Sequence, residues 1–168
     1  VFAAVEPVIK GIFEQFSGKK IDPIFTQISY ADSILKYGND KPDLRIPIEI
    51  SDVTDIFRGS DFTIFAKNIE NGAVVRAIPG PKCGSRAIAD RMNSWAQSEG
   101  APGLGYIIYS SEEAKGPVAK ALGQDKSNLI KSKLNLNDGD AVFFACASEK
   151  DASALAGRAR VRIGTEQN

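Results

Sequence analysis

The sequence contains no histidine and only two cysteines among its 168 residues. Histidine is the commonest general base and a frequent metal ligand, so its absence excludes Ser-His and Cys-His nucleophile pairs and histidine-containing metal sites. Two cysteines cannot complete a zinc site by themselves. We therefore interpret Cys83 and Cys146 as reduced thiols of a cytoplasmic protein.

The sequence also has no excess charge and no long apolar run. Its 21 basic and 21 acidic residues balance, which excludes the basic excess typical of an autonomous nucleic-acid-binding domain, so any RNA contact needs a local patch. No apolar run approaches the length of a membrane span, and no signal-peptide pattern begins the chain, so we expect no membrane partner. Because Val1 lies directly in a helical pattern, we expect an excised piece of a longer protein.

Two helices are predicted before residue 38. The first runs to about Ser17, and its apolar residues recur at helical spacing: Val5, Val8, Ile9, Ile12, Phe13 and Phe16. Pro23 then leads into a short extended piece at Ile24-Phe25. Ser29 and Asp32 resemble a capping box, which predicts a second helix from about Tyr30 to Tyr37.

The stretch from Tyr37 to Arg45 separates these helices from a region of different character. Gly38 can end a helix in the left-handed conformation, and Pro42 keeps Lys41 out of the helical region. By its residues alone, the stretch is interpreted as a charged, solvated hinge between two packed units.

Beyond the stretch, helices and strands alternate irregularly. Ser51 or Asp52 is expected to cap a short helix through Phe57, and the turn at Asn71-Gly72 predicts a hairpin joining strands 62–65 and 73–78. Further strands are expected at 106–109 and 141–147, covered on both faces, with helices from Ser85, over 117–122 and 125–134, and from Asp151. This order favours an α+β fold with helices packed on a mostly antiparallel sheet.

The sequence contains only weak candidates for catalytic residues. Asp40 with Asp43, or Asp138 with Asp140, has the composition of an acid-base or metal pair, but capping of turns by aspartate is far commoner. The loop Gly80–Ser85 precedes a helix, as phosphate-binding loops do, yet it lacks the Walker spacing, so a structural loop is favoured. We assign no catalytic, cofactor-binding or metal-binding residue.

Contacts to RNA would have to use basic side chains, each of which is also an ordinary solvated charge. Phosphate binding requires several of them to cluster in space. The candidates are Lys41, Arg45, Lys82, Arg86, Lys131, Arg158 and Arg162.

Several motifs carry a family resemblance. Tyr37-Gly-Asn-Asp-Lys-Pro-Asp-Leu-Arg45 is similar to a sequence of bacterial-type aspartyl-tRNA synthetases, between the second and third motifs of the class II catalytic domain. The similarity continues in family order over nearly the whole chain, through Ile28–Leu35, Arg91–Gln97, Gly100–Tyr106, Gly116–Lys120 and Asp138–Phe144. The resemblance implies an inserted α+β domain, called the GAD domain, with parts of the catalytic domain on either side.

The resemblance also implies an organisation and a function. Residues 1–47 would be a flanking segment of the catalytic domain, 48–148 the GAD-like insertion domain, and 149–168 a helix returning toward the catalytic domain. The apolar stripes at the two ends would then pack on each other in this chain. The parent enzyme, a homodimer, would attach aspartate to tRNA through an aspartyl-adenylate, using ATP and magnesium.

For this chain alone, the resemblance implies an inactive, monomeric fragment without a cofactor of its own. Its partners would be tRNA and the remainder of the synthetase, with a role in positioning the tRNA acceptor end. Two alternatives stay open. One is the GAD-type binding module of a tRNA-dependent amidotransferase, and the other is a purely structural insert.

Overall fold

The structure, a computed structural model, describes residues 1–22 and 24–166. These residues form helices and a five-stranded antiparallel sheet, which confirms the predicted α+β class. The helices are α1 (Phe2–Ser17), α2 (Tyr30–Tyr37), α3 (Thr54–Phe57), α4 (Thr63–Glu70), α5 (Arg86–Ser98), α6 (Pro117–Lys133) and α7 (Glu149–Glu166). The strands are β1 (Ser51–Asp52), β2 (Val74–Gly80), β3 (Gly105–Tyr109), β4 (Ala114–Lys115) and β5 (Ala141–Ala147). Pro23, and residues 167 and 168 of the predicted returning segment, lie outside the described residues.

The apolar strand β5 occupies the centre of the sheet, in the order β1-β2-β5-β3-β4. Successive side chains of a strand point to opposite faces. Val142 and Phe144 accordingly enter one apolar cluster, whereas Phe143 and Ala145 enter another, and all four are 0% exposed. The prediction that this strand is covered on both faces is confirmed.

Helices cover the two faces of the sheet in separate layers. On the first face α3, α4 and α6 pack around Phe57, whose ring lies 5.1 Å from the rings of both Phe65 and Phe144. On the second face α5 contributes Met92 and α7 contributes Ala156. The sheet is therefore the middle layer of three.

The predicted strand at residues 62–65, and the hairpin that it would form, are wrong. Residues 63–70 form α4 instead, and the turn at Asn71-Gly72 joins this helix to β2. Aromatic and β-branched residues favour strands, but they also occur in helices that bury their side chains. Helical spacing places Phe65 and Ile69 together in the first cluster, so burial overrides the local preference.

Two predicted helix starts are confirmed by their capping hydrogen bonds, and one predicted helix break by its backbone angles. Ser29 Oγ accepts from the Asp32 amide at 3.0 Å, and Ser85 Oγ accepts from the Ile88 amide at 3.3 Å. The two helical pieces predicted on either side of residue 123 are the halves of α6, which is broken by non-helical backbone angles at Gly123. Among the described helices, none has the length and apolarity that a membrane span requires.

The two ends of the chain behave differently. The apolar stripe of α7 is buried against the sheet, and α2 packs on α7. No residue of α1 is buried, and Phe2, Ile12 and Phe16 are 62%, 53% and 78% exposed. The expected packing of the two terminal stripes on each other is therefore wrong, because the stripe of α7 is occupied by the sheet.

Candidate nucleic-acid interface

The backbone that follows α2 is fixed against α7 by one buried side chain, Arg160. Its Nε donates to the Ile48 carbonyl at 2.6 Å, and its Nη2 donates to the carbonyls of Ile46 at 2.6 Å and Asp43 at 2.9 Å. The guanidinium also lies 4.8 Å from the centre of the Tyr37 ring. The segment interpreted as a solvated hinge therefore has an anchored backbone.

A contact between two glycines brings this segment close to α7. Gly38 ends α2 in the left-handed conformation, with φ of 75°, as its position predicted. A Cβ placed on Gly38 would lie 2.5 Å from Cα of Gly157 and 2.3 Å from the Ser153 carbonyl oxygen. Only glycine at position 38 permits this approach.

The side chains of Lys41 and Arg45 extend from the anchored segment into solvent and pair with neighbouring carboxylates. Lys41 Nζ lies 2.9 Å from Asp40 Oδ2, and Arg45 donates from Nε and Nη2 to the two oxygens of Asp43. Each pair joins residues one or two positions apart. The positive charges at this place are thus balanced locally, and Asp40 and Asp43 serve as their partners.

We expect the Arg45 pair to be visible in the titration of Asp43. Hydrogen bonds from the Arg45 side chain and amide lower the pKa of Asp43 from 3.8 to about 2. Because the charged carboxylate is favoured in the folded state, the pair stabilises above about pH 3.8, and this contribution is lost as pH falls through about 2. NMR of the Asp43 carboxyl carbon should give a midpoint near 2.

Arg45→Ala should move this midpoint upward toward 3.8. Arg58→Ala is the matched control, because Arg58 forms an exposed pair with Asp55 and not with Asp43. Equal midpoints in the unaltered chain and in Arg45→Ala would contradict the assigned cause.

The loop carrying Lys82 is organised by Asp140. The Asp140 carboxylate accepts from the amides of Lys82 and Asn137, each at 2.8 Å, and Lys82 has a positive φ of 57°. The Lys82 side chain is exposed. Asp140 thus caps two turns, which is the commoner of the two roles considered for it.

The other sequence candidates are held by neighbours on different elements. Lys131 lies 2.7 Å from Asp138 and 5.6 Å from the centre of the Tyr109 ring. Arg158 pairs with Glu99 at 3.5 Å, and the Arg162 guanidinium lies 5.6 Å from the centre of the Trp95 ring. Arg158 and Arg162 thus both lie beside α5, on the second face of the sheet. Lys131 lies on α6, which covers the first face.

Arg86 lines a surface cleft with other basic residues. The cleft has a volume of about 570 Å³ and lies between the start of α5, the edge strand β4 and the start of α6. Two lysines that the sequence analysis did not select, Lys115 and Lys120, line it with Arg86. They are separated from Arg86 by about 30 positions in the sequence, so only the fold could show that they are neighbours.

A larger groove of about 620 Å³ lies beside the anchored segment. Its walls include Tyr37, Pro79 and Leu136, and its charged residues are Lys133, Glu49 and Asp140. Lys133 donates from Nζ to the Asp52 carbonyl at 2.8 Å. With two carboxylates against one ammonium group, this groove does not favour an anion.

Within residues 1–22 and 24–166, no three acidic or cysteine side chains come together as metal ligands. Among the described residues, Cys83 and Cys146 form no disulfide; the first is buried and the second half-buried.

Arg160 is the structurally decisive residue that the sequence analysis missed. It is 0% exposed, although arginine is rarely buried without partners. A signal was present, because position 160 follows Ala156 by four and precedes Ile163 by three, which places an arginine on the apolar stripe. Its partners, backbone carbonyls more than 110 positions earlier, leave no trace in the sequence.

Comparison with known proteins gives consistent matches. The GAD domain family model matches residues 65–156. The chain is 52% identical over 173 residues to the aspartate-tRNA(Asp/Asn) ligase of Paracoccus denitrificans and 53% identical over 174 residues to that of Parvibaculum lavamentivorans. Each alignment covers 99% of this chain and 29% of the relative, so the chain spans less than a third of the length of these relatives. The chain belongs to the GAD domain family and matches the GAD-containing portion of aspartyl-tRNA synthetases.

Proposed function

We propose that the chain is a non-catalytic part of an aspartate-tRNA ligase and that its sheet domain helps to position the tRNA acceptor end. The observation that carries this proposal is 50 to 53% identity to ligases over 99% of the chain. These relatives are aspartate-tRNA(Asp/Asn) ligases, which favours a parent enzyme that acts on both aspartate and asparagine tRNA. The similarity to ligases also favours a ligase over the amidotransferase module.

In the proposed enzyme, the insertion domain is separate from the catalytic domain. Residues 48–148 form the insertion domain, while 1–47 and 149–168 connect it to the catalytic domain. The remainder of the enzyme binds ATP and magnesium, forms the aspartyl-adenylate and provides the dimer contact of a cytoplasmic ligase. The fragment alone is a monomer without catalytic activity.

The exposed apolar face of α1 supports this division. Exposing several large apolar side chains on one helix is unfavourable in water, so such a face normally has a covering surface. The described residues supply none, since no residue of α1 is buried. We assign the covering surface to the remainder of the ligase.

Replacing residues 48–148 of the full-length ligase with a flexible linker tests the proposal. ATP-pyrophosphate exchange, which reports adenylate formation, should be retained and shows that the remainder folds. The KM for aspartate tRNA in the acylation assay should rise about 5- to 30-fold, since a loss of about 1 to 2 kcal/mol of tRNA binding corresponds to this range. Unchanged kcat and KM for tRNA would favour the purely structural insert.

A further inference from the structure

We infer that the cleft lined by Arg86, Lys115 and Lys120 is a binding site for the phosphate backbone of RNA. The inference rests on the proposed function, because it names the surface by which the insertion domain would contact tRNA. Three of the four charged residues that line the cleft are basic, and the fourth is Glu113. In a chain with 21 basic and 21 acidic residues, this is a local positive excess.

The cations of the cleft are available to an anion. Arg86 Nε lies 3.7 Å from Asp90, and Lys115 Nζ lies 3.7 Å from Glu113, in pairs whose side chains are all more than half exposed. Such loose, solvated pairs contribute little, so a phosphate can replace the carboxylate. Lys120 is exposed and forms no ion pair within the described part of the chain.

An aromatic wall accompanies these charges. Tyr106 of β3 is half-buried, and its ring contacts the backbone of Gly116, where a Cβ would lie 3.0 Å from a ring carbon. Cationic grooves that bind single-stranded RNA commonly combine basic residues with an aromatic ring on which a base stacks. The combination of Tyr106 with the three cations therefore fits single-stranded RNA better than it fits a free phosphate.

Hydrogen bonds hold part of the cleft's backbone in place. The Gln124 side chain of α6 donates from Nε2 to the Ala114 carbonyl and accepts at Oε1 from the Ala114 amide, both at 3.0 Å. These bonds pair the Gln124 amide group with the backbone of the edge strand β4 and tie that strand to the second half of α6. Less ordering is then required when RNA binds, which favours affinity.

Fluorescence anisotropy of labelled aspartate tRNA with the 168-residue chain, measured across a salt series, tests the site. The cleft variant combines Arg86→Gln, Lys115→Gln and Lys120→Gln. The matched control combines Lys20→Gln, Lys67→Gln and Lys150→Gln, which removes the same charge from exposed positions elsewhere. All six side chains are exposed, so both variants should melt like the unaltered chain.

We expect the cleft variant to bind at least 10-fold more weakly at about 0.1 M salt, and the control to change less than 3-fold. The slope of log K against log salt should fall by about 2 in the cleft variant, since each lost phosphate contact removes about 0.7 to 0.9. Because the contacts are to the backbone, an unrelated tRNA should lose affinity equally.

Two results would overturn the inference in different ways. If the unaltered chain binds tRNA and the cleft variant binds it equally strongly, the assigned site is wrong. The same follows if the control variant loses as much affinity as the cleft variant. Neither result affects the proposed function. No saturable binding by the unaltered chain at low salt would overturn the direct tRNA contact of the proposed function, and the site with it.

Discussion

Replacing Arg160 with alanine is expected to lower the free energy of unfolding by about 3 to 5 kcal/mol, because three carbonyls lose their donors and a large buried side chain is removed. Nε and Nη2 make three hydrogen bonds of 2.6 to 2.9 Å to the segment between β1 and α2. Burial lowers the pKa of Arg160, since the charged group loses its hydration, and relief of that cost offsets part of the loss. Urea unfolding followed by circular dichroism measures the difference.

Arg158→Ala is the matched control for this prediction. Arg158 lies two positions away on the same helix, is half exposed and pairs only loosely with Glu99. Its replacement should change the free energy of unfolding by no more than about 0.5 kcal/mol. Arg160→Lys should fall between the two, because one ammonium group cannot reproduce the forked geometry of a guanidinium. If both alanine variants were equally stable, Arg160 would not anchor the segment.

The second large effect is expected for Gly38→Ala. The new methyl group would enter α7, within 2.5 Å of backbone atoms of Ser153 and Gly157, and no flexible side chain stands there to move aside. The left-handed backbone at Gly38 costs a further 1 to 2 kcal/mol for a residue with a Cβ. Together with overpacking of about 1 to 3 kcal/mol, the loss should reach about 3 kcal/mol.

Gly59→Ala separates the two causes. Gly59 also has a positive φ, of 62°, but a Cβ there meets no atom within 4 Å. Its replacement should cost only the backbone strain, about 1 to 2 kcal/mol. The melting temperature of Gly38→Ala should therefore be clearly lower than that of Gly59→Ala. Equal melting temperatures would mean that the contact between α2 and α7 accommodates the added methyl group without loss of stability.

Features encoded over short distances in the sequence were predictable. Ser29 and Gly38 define both ends of α2, because a capping hydroxyl and a left-handed glycine act within one turn. The same is true of β5, whose continuous apolar run required cover on both faces. The break at Gly123 also follows from a single residue.

Features that depend on distant partners were not predictable. Phe62 and Phe65 indicated a strand by their type. Instead Phe62 precedes α4 and Phe65 lies in it, because both rings pack in a core with Phe57, which lies on another element. The candidate cleft had one member in the sequence analysis, Arg86. Its other cations became neighbours only through the position of the edge strand β4 against α6.

The close approach of Gly38 to Gly157 affects how a protein can carry this domain in the middle of its chain. An unstructured insertion of about 120 residues would cost its host about 4 kcal/mol of loop-closure entropy, from (3/2)RT ln n. Here the chain leaves α2 and returns through α7 at adjacent points, so the folded domain has already joined its own ends. In the proposed full-length ligase, the folded domain would therefore add about as much loop-closure cost as a short surface turn.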